Sequence, residues 1–197
     1  MAAQLKTIQT ENFVLTKMTA ADGDKYFRLS NNDNVMKYVT GHALDRSESD
    51  KMLQMFLAEY GSETYLGRYL IENRLSGELI GAAKLDQDGQ EVEIGYRIME
   101  EHWGKGIATE IALGLTEFAR KTMLAKNVIA YVNVHNAASM RVLEKVGMVN
   151  VERIEDPDEI KFKFVYSPQN KLLTKKALYI IFGLSIVVLI AILYSCT

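Results

Sequence analysis

Two glycines separated by a single residue, Gly104 and Gly106, mark the part of the sequence best suited to hold an anion. Glycine adopts backbone conformations that a Cβ disfavours, so the pair suits a loop whose amides point at one ligand. Helical spacing begins at about Ile107, and the free N–H groups and dipole of a helix start attract negative charge. Lys105 adds a nearby positive charge. The sequence therefore predicts a pyrophosphate-binding loop over residues 101–108.

Polar residues on two flanking segments could act beside this loop. The alternating run from residue 91 to about 99 reads as a strand that leads straight into it, with Glu93 on the face opposite its apolar residues. Downstream, Asn136 is a predicted N-cap with Ser139 in the first turn of its helix, and Gly147 fits the C-terminal stop of that helix.

These segments belong to a regular alternation of apolar and polar residues that predicts the fold class. Helices are predicted over residues 20–29, 48–60 (with Ser47 and Asp50 at its start), 107–121 and 136–146. Strands are predicted over residues 10–18, 65–72, 78–85, 91–99, 127–134, 149–154 and 160–165. We expect an α+β domain in three layers, a mixed, mainly antiparallel sheet flanked by helices. The segment 30–46 is irregular, although residues 35–39 could form one helical turn, and it could form one wall of a substrate site.

Composition excludes several classes of function. The formal net charge is −2, and three lysines of residues 171–176 leave the rest of the chain more acidic, which argues against nucleic acid as a partner. A single cysteine, Cys196, excludes an internal disulfide and a cysteine-rich metal site. The three histidines show no metal-ligand spacing, so no metal is expected.

Two sequence blocks resemble one known family, the GNAT N-acetyltransferases. The first is Glu-Ile-Gly-Tyr-Arg-Ile at residues 93–98 followed by Trp-Gly-Lys-Gly-Ile-Ala-Thr at residues 103–109. It is similar to the family's acetyl-CoA loop, Gln/Arg-x-x-Gly-x-Gly/Ala, although Glu101 stands where Gln or Arg is usual. The second, residues 136–148, resembles the later family helix Asn-x-x-Ser-x-x-Val-Leu-Glu-Lys-x-Gly-Phe, with Met148 in place of Phe. The branch it resembles most is the ribosomal-protein alanine N-acetyltransferases.

The resemblance implies acetyl-CoA as co-substrate and assigns a set of residues to it. In the family, the strand before the loop bulges and splays from its neighbour, and the pantetheine arm lies in the gap, here residues 96–99 against 132–134. A strand N–H near Ile98 would then polarise the thioester carbonyl. The residues expected to bind acetyl-CoA are Ile98, Trp103, Gly104, Lys105, Gly106, Ile107, Ala108, Thr109 and Asn136. For Trp103, a packing role is favoured over a contact with substrate.

The catalytic tyrosine that is usual in the family is absent from its position in this sequence. Many family members protonate the leaving thiolate with a tyrosine seven residues after the asparagine, a position that Leu143 occupies here. Ser139 is the candidate in the resembling branch, although it could merely cap its helix. For the base we expect Glu93, which could act through a water, with Glu91 and His135 as alternatives. The amine could also arrive already deprotonated, and Glu93 could instead be a solvated or salt-bridged strand residue.

An apolar segment follows the domain. Residues 177–194 are 18 residues without a charge, twelve of them Leu, Ile, Val or Phe, and as a helix they would span about 27 Å, near the hydrocarbon thickness of a bilayer. Basic residues precede the segment, so we expect a single-pass C-terminal membrane anchor with the catalytic domain in the cytoplasm. The alternative is a buried helix of an oligomer interface.

We therefore expect an acetyltransferase domain over residues 1–168, a basic linker over 169–176 and a transmembrane helix over 177–194. The leading hypothesis is acetyl transfer from acetyl-CoA to a primary amine, a small molecule or a protein N-terminus, by direct attack in a ternary complex. The alternative is a membrane-tethered acyl-CoA-binding or regulatory module without turnover. The acceptor, the choice of membrane and whether the chain forms a homodimer stay open.

Overall fold

A computed structural model describes residues 7–61 and 63–166. The helices are α1 (Gly23–Ser30), α2 (Asp33–Met36), α3 (Arg46–Glu59), α4 (Ile107–Lys121) and α5 (Ala137–Lys145). The strands are β1 (Thr7–Gln9), β2 (Phe13–Lys17), β3 (Gly67–Asn73), β4 (Leu79–Asp88), β5 (Glu91–Ile98), β6 (Val128–Asn133), β7 (Val149–Glu155) and β8 (Ile160–Tyr166). Short 3-10 turns lie at Ala20–Asp22 and Glu100–His102.

The described strands form one sheet in the order β1-β2-β3-β4-β5-β6-β8-β7. Its pairs are antiparallel except β5 and β6, which run parallel because α4 crosses over between them. This crossover places the C-terminal end of β5, the loop after it and the N-terminus of α4 at one edge of the β5–β6 pair. The predicted α+β class with a mainly antiparallel sheet is confirmed.

Two apolar cores lie on opposite faces of the sheet. The larger packs α4 and α5 against the strands and includes Ile94, Ile111, Leu115 and Leu143, while the smaller packs α1, α2 and α3 and includes Tyr26, Leu53 and Met99. The alternation of β5 explains its place between them, since Val92, Ile94 and Ile98 are buried on the α4 side. The three-layer arrangement follows from these two cores.

Three local details differ from the sequence prediction. The single strand predicted over residues 10–18 is a hairpin, because Thr10 N–H bonds back to Phe13 C=O and separates β1 from β2. The predicted α3 start was wrong by two residues: Asp45 caps the helix and Glu48 completes a capping box. The helical turn allowed within the segment 30–46 is present but starts two residues earlier, as α2, which Asn32 caps.

No helix within residues 7–61 and 63–166 is long and apolar enough to cross a membrane. The predicted anchor at 177–194 and the linker before it lie outside the described residues.

Candidate functional site

The parallel strands β5 and β6 separate after a very short stretch of pairing. Only Val92 with Val128 and Glu93 with Ile129 are in register. The rest of β5, from Ile94 to Ile98, runs on beside β4 alone, where the register continues to Gly81. The predicted splay is therefore present, and it leaves a gap that opens toward the loop after β5.

The backbone of Ile98 points into this gap. Met99 N–H donates to Ile80 C=O at 2.9 Å, and opposed residues of an antiparallel pair alternate in direction, so Ile98 and Tyr96 turn their backbone groups away from β4. The Ile98 carbonyl accepts the Trp103 indole Nε1–H at 2.7 Å. The Ile98 N–H is left facing the gap. The β4–β5 register shows no shift along its length, so the bulge implied by the resemblance does not occur, and the splay alone frees this group.

The loop after β5 uses both glycines in left-handed conformations. Gly104 has φ +75° and Gly106 has φ +80°, values that disfavour any residue with a Cβ. An added Cβ at either position meets no heavy atom within 4 Å. The glycines are thus required by the backbone turn, and the space outside them is open to a ligand.

The N-terminus of α4 presents unused donors at the end of this loop. Gly106 is the N-cap and no side chain caps the helix. The N–H groups of Thr109 and Glu110 both donate to Gly106 C=O, at 3.0 and 3.2 Å. Ile107 and Ala108 lie at positions with no partner inside the helix. Of the predicted binding residues on the helix, Ile107 and Ala108 thus offer backbone donors and Thr109 does not.

The side chains of the loop hold its shape. Lys105 Nζ donates to Glu101 C=O at 2.9 Å, so its charge stays at the loop. Glu101 itself lies 3.5 Å from Arg28 on α1. Trp103 is 48 % exposed and its indole N–H is bonded to β5. Trp103 therefore fixes the loop to the strand end and still offers an exposed ring face.

On the other side of the gap, α5 begins as predicted. Asn136 Oδ1 accepts the Ser139 backbone N–H at 3.1 Å, which confirms the N-cap and leaves the Ser139 hydroxyl free of that role. Gly147, with φ +90°, ends the helix region as a Schellman-type stop in which Met148 N–H reaches Leu143 C=O. Leu143, where the family tyrosine would stand, is a core residue.

A tyrosine that the sequence did not single out lies beside Ser139. The Tyr96 hydroxyl is buried and makes no hydrogen bond of standard geometry with any described residue. Burial raises the pKa of this phenol to about 12, although the neighbouring Ser139 hydroxyl acts to lower it. The alternation of β5 predicts that Tyr96 faces α4 and α5, but its meeting with Ser139 depends on how α5 docks. Two neutral hydroxyls, one from β5 and one from α5, therefore lie close to each other on the α4 side of the sheet.

The three candidate bases do not converge on Ile98. Glu93 is ion-paired with Lys84 at 2.6 Å, and Glu91 with Lys163 at 2.6 Å. Glu93 lies where β5 and β6 still pair, five residues before Ile98, which is roughly 17 Å along a strand. His135 is exposed at the end of β6, and its carbonyl accepts the Tyr38 hydroxyl at 3.0 Å.

The arrangement fits a long ligand with a diphosphate at one end and a reactive carbonyl at the other. The open α4 start can hold the anion, the slot between β5 and β6 can take a narrow chain, and the Ile98 N–H can meet a carbonyl oxygen. Within the described residues there is no group of three or more His, Cys, Asp or Glu that could hold a metal ion.

Comparison with known proteins identifies the family. The acetyltransferase (GNAT) domain profile matches residues 12–149. The chain belongs to the GNAT acetyltransferase family. This acetyltransferase is 32 % identical over 147 residues to the uncharacterized N-acetyltransferase YoaA of Bacillus subtilis, covering 71 % of this chain and 81 % of that one. The enzyme class predicted from the two sequence blocks is thereby confirmed.

Solved structures share the fold of the acetyltransferase at low identity. RimL, a ribosomal L7/L12 alpha-N-protein acetyltransferase in complex with coenzyme A, matches with a TM-score of 0.68 and 16 % identity, over 82 % of this chain and 98 % of that one. AAC(6')-Ib, solved with paromomycin and acetyl-CoA, matches with a TM-score of 0.67 and 19 % identity, over 81 % and 96 %. At these identities the likeness establishes the fold alone.

Proposed function

We propose that the enzyme transfers the acetyl group of acetyl-CoA to a primary amine by direct attack in a ternary complex. The observation that carries this proposal is the gap left where β5 and β6 stop pairing after Glu93 and Ile129, with the uncapped start of α4 at its open end. Family membership supplies the reaction class, and the gap supplies a place for the thioester arm.

The residues around the gap divide the work of binding. The N–H groups of Ile107 and Ala108, with the positive end of the α4 dipole and Lys105, hold the pyrophosphate. Ile98 N–H donates to the thioester carbonyl oxygen and stabilises the negative charge that develops there. In the transfer, the C–N bond forms, the C–S bond breaks, the amine loses one proton and the thiolate gains one.

Ser139 and Tyr96 supply the proton donors for the thiolate. Both hydroxyls are neutral at physiological pH, and burial keeps the pKa of Tyr96 at about 12, so this phenol stays able to donate. Their position also answers the alternative of a binding module without turnover. That hypothesis rested on Leu143 at the usual tyrosine position, but Tyr96 brings a buried phenol next to Ser139 from another element.

Proton removal from the amine depends less on any one side chain. Glu93 is ion-paired with Lys84 and lies five residues along β5 from Ile98. It could therefore accept the proton of the amine only through a chain of waters. The exposed His135 lies at the end of β6, nearer the open end of the gap. We propose that the amine enters as the free base or passes its proton to water at this opening.

The acceptor is an amine of a small molecule or of a protein N-terminus. The motif at residues 136–148 supports the ribosomal-protein branch, and RimL acts on ribosomal L7/L12. AAC(6')-Ib is an aminoglycoside acetyltransferase and shares the same fold. The two relatives together support an amine acceptor and leave its size open.

We also propose that residues 177–194 anchor the enzyme to a membrane with the catalytic domain cytoplasmic. The support is the run of 18 uncharged residues after three lysines. We expect the full chain to sediment with membranes after alkaline extraction. A chain without residues 172–197 should not sediment with them. A full chain that washes off at alkaline pH would contradict the anchor.

Acetyl transfer is tested by acceptor-dependent release of coenzyme A thiol. The full chain, held in detergent, is assayed with acetyl-CoA and a panel of amino acids, peptides, polyamines and amino sugars. The proposal expects thiol release above hydrolysis for at least one class, with a matching N-acetyl product. Tight acetyl-CoA binding with no acceptor-dependent release would favour the module instead.

A further inference from the structure

Arg97 carries a part-buried positive charge that no carboxylate among the described residues neutralises. Its guanidinium lies 5.0 Å from the ring centroid of Tyr26, and Nη1 donates to Met36 Sδ at 2.9 Å. Thioether sulfur is a weak acceptor, and guanidinium has five N–H donors. A cation removed from water without an anion costs free energy. Most of the donors of Arg97 therefore have no hydrogen-bond partner among the described residues.

The nearby carboxylates are engaged with other partners. Glu100 accepts the side-chain amides of Asn32 and Asn34, at 3.2 and 2.9 Å. Glu93 pairs with Lys84 at 2.6 Å. Neither carboxylate can therefore neutralise Arg97 without first breaking these contacts.

Arg97 lies on β5 directly beside the residue assigned to the thioester carbonyl. It precedes Ile98 and lies on the opposite face of β5 from Tyr96 and Ser139. Met36, which it contacts, begins a tight turn in which three following N–H groups bond to its carbonyl. From this turn Tyr38 reaches across to the His135 carbonyl at 3.0 Å. These contacts bring Arg97 on β5, the turn after Met36 and the end of β6 into the same region of the structure.

We propose that Arg97 binds the carboxylate of the acceptor and that the acceptor is a free α-amino acid. This inference rests on the proposed acetyl transfer and narrows it. A guanidinium holds a carboxylate by two parallel charged hydrogen bonds. The amine on the next carbon atom is then held on the face of β5 that Arg97 occupies, with the thioester carbonyl placed at the neighbouring Ile98. Polyamines and amino sugars would bring further positive charge to Arg97 and are disfavoured.

The test compares two acceptors that differ in this one group. L-alanine and L-alaninamide share the amine and the methyl group, but only the first carries a carboxylate. The full-length enzyme is expected to prefer alanine. Arg97→Gln should lower kcat/KM for alanine on the order of 30-fold, the value of one charged hydrogen-bonding partner. It should change kcat/KM for alaninamide less than about threefold and leave the acetyl-CoA Kd unchanged.

Two variants control for a merely structural role. Arg97→Lys keeps the positive charge but loses the paired donors of the guanidinium. Its kcat/KM for alanine is expected to lie between those of the unmodified enzyme and Arg97→Gln. Arg120→Gln removes an arginine that also stacks on a tyrosine, Tyr166 at 4.9 Å, but at the last turn of α4. This variant should leave kcat/KM unchanged for both alanine and alaninamide. Circular dichroism and melting of each variant show whether the fold is kept.

Some outcomes overturn the proposal. Equal use of alanine and alaninamide by the unmodified enzyme would do so, as would an equal loss of both in Arg97→Gln. Calorimetric titration of alanine into the enzyme–coenzyme A complex separates this inference from the proposed reaction. Binding that is lost in Arg97→Gln, with no thiol release for any amine, would support the carboxylate site and contradict acetyl transfer.

Discussion

Replacing Tyr96 with phenylalanine is expected to stabilise the protein and slow its reaction at the same time. The Tyr96 hydroxyl is buried without a standard hydrogen bond, and such a group costs about 1–3 kcal/mol. Removing it should relieve part of that cost. A gain of about 1 kcal/mol corresponds to a rise in Tm of about 2–4 °C in a chain of this size.

The same substitution removes one of the two proposed proton donors. General acid catalysis contributes about 100-fold to 10,000-fold in typical enzymes. Ser139 remains, so we expect kcat to fall by about 10-fold to 100-fold while the Kd for acetyl-CoA stays within about twofold. Burial raises the pKa of Tyr96 to about 12, so this phenol does not titrate below about pH 10. The kcat–pH profile of the variant should therefore keep the shape of the unmodified enzyme's profile below that pH.

Tyr69→Phe is the matched control for Tyr96→Phe. The Tyr69 hydroxyl is also on a buried tyrosine, but it donates to Tyr65 C=O at 2.5 Å. Its loss should lower Tm and leave kcat unchanged. Differential scanning calorimetry and steady-state thiol release measure both variants. A Tyr96→Phe enzyme that keeps full kcat would refute the assignment of this phenol to the thiolate. A variant with a lower Tm would instead show that the hydroxyl makes a stabilising hydrogen bond in the folded protein.

Three further substitutions test other parts of the site. Ser139→Ala should lower kcat about tenfold with little change in acetyl-CoA affinity by calorimetry, since the helix cap is made by Asn136; a parallel loss of affinity would place Ser139 in binding instead. Gly104→Ala should cost about 1 kcal/mol of stability from its positive φ, whereas Gly104→Glu should abolish acetyl-CoA binding, and unchanged affinity would contradict the loop assignment. Glu110→Gln should lower Tm at pH 7. Burial acts to raise the pKa of Glu110, but three hydrogen bonds from Thr10 and Asn12 outweigh it and lower that pKa. The charged Glu110 therefore stabilises the folded state above the unfolded pKa, and this stabilisation is lost as pH falls through the folded pKa. The Tm difference should therefore shrink below about pH 4, and a constant difference would refute it.

The sequence could predict features that depend on neighbouring residues. Gly104, Gly106 and Gly147 all have positive φ, and Asn136 caps α5, because turn and cap chemistry is local. The order of elements also followed from short periodic runs. The start of α3 was missed because Asp45 and Ser47 both precede a carboxylate by three residues, and only the structure shows which pair closes the capping box.

Features that depend on how elements dock could not be predicted in this way. Tyr96 meets Ser139, and Arg97 meets Met36, across more than 40 residues of sequence in each case. Alternation gave each side chain its face of β5 but not the partner on that face. The pairing of Glu93 with Lys84 is of the same kind, since it depends on the register of two strands.

The central claim, direct acetyl transfer at the β5–β6 gap, is tested most directly by initial rates of thiol release with acetyl-CoA and one acceptor varied together. A ternary complex predicts double-reciprocal lines that intersect, with intersection kept and kcat reduced in Ser139→Ala. Parallel lines, or thiol release that does not depend on the acceptor, would contradict the account.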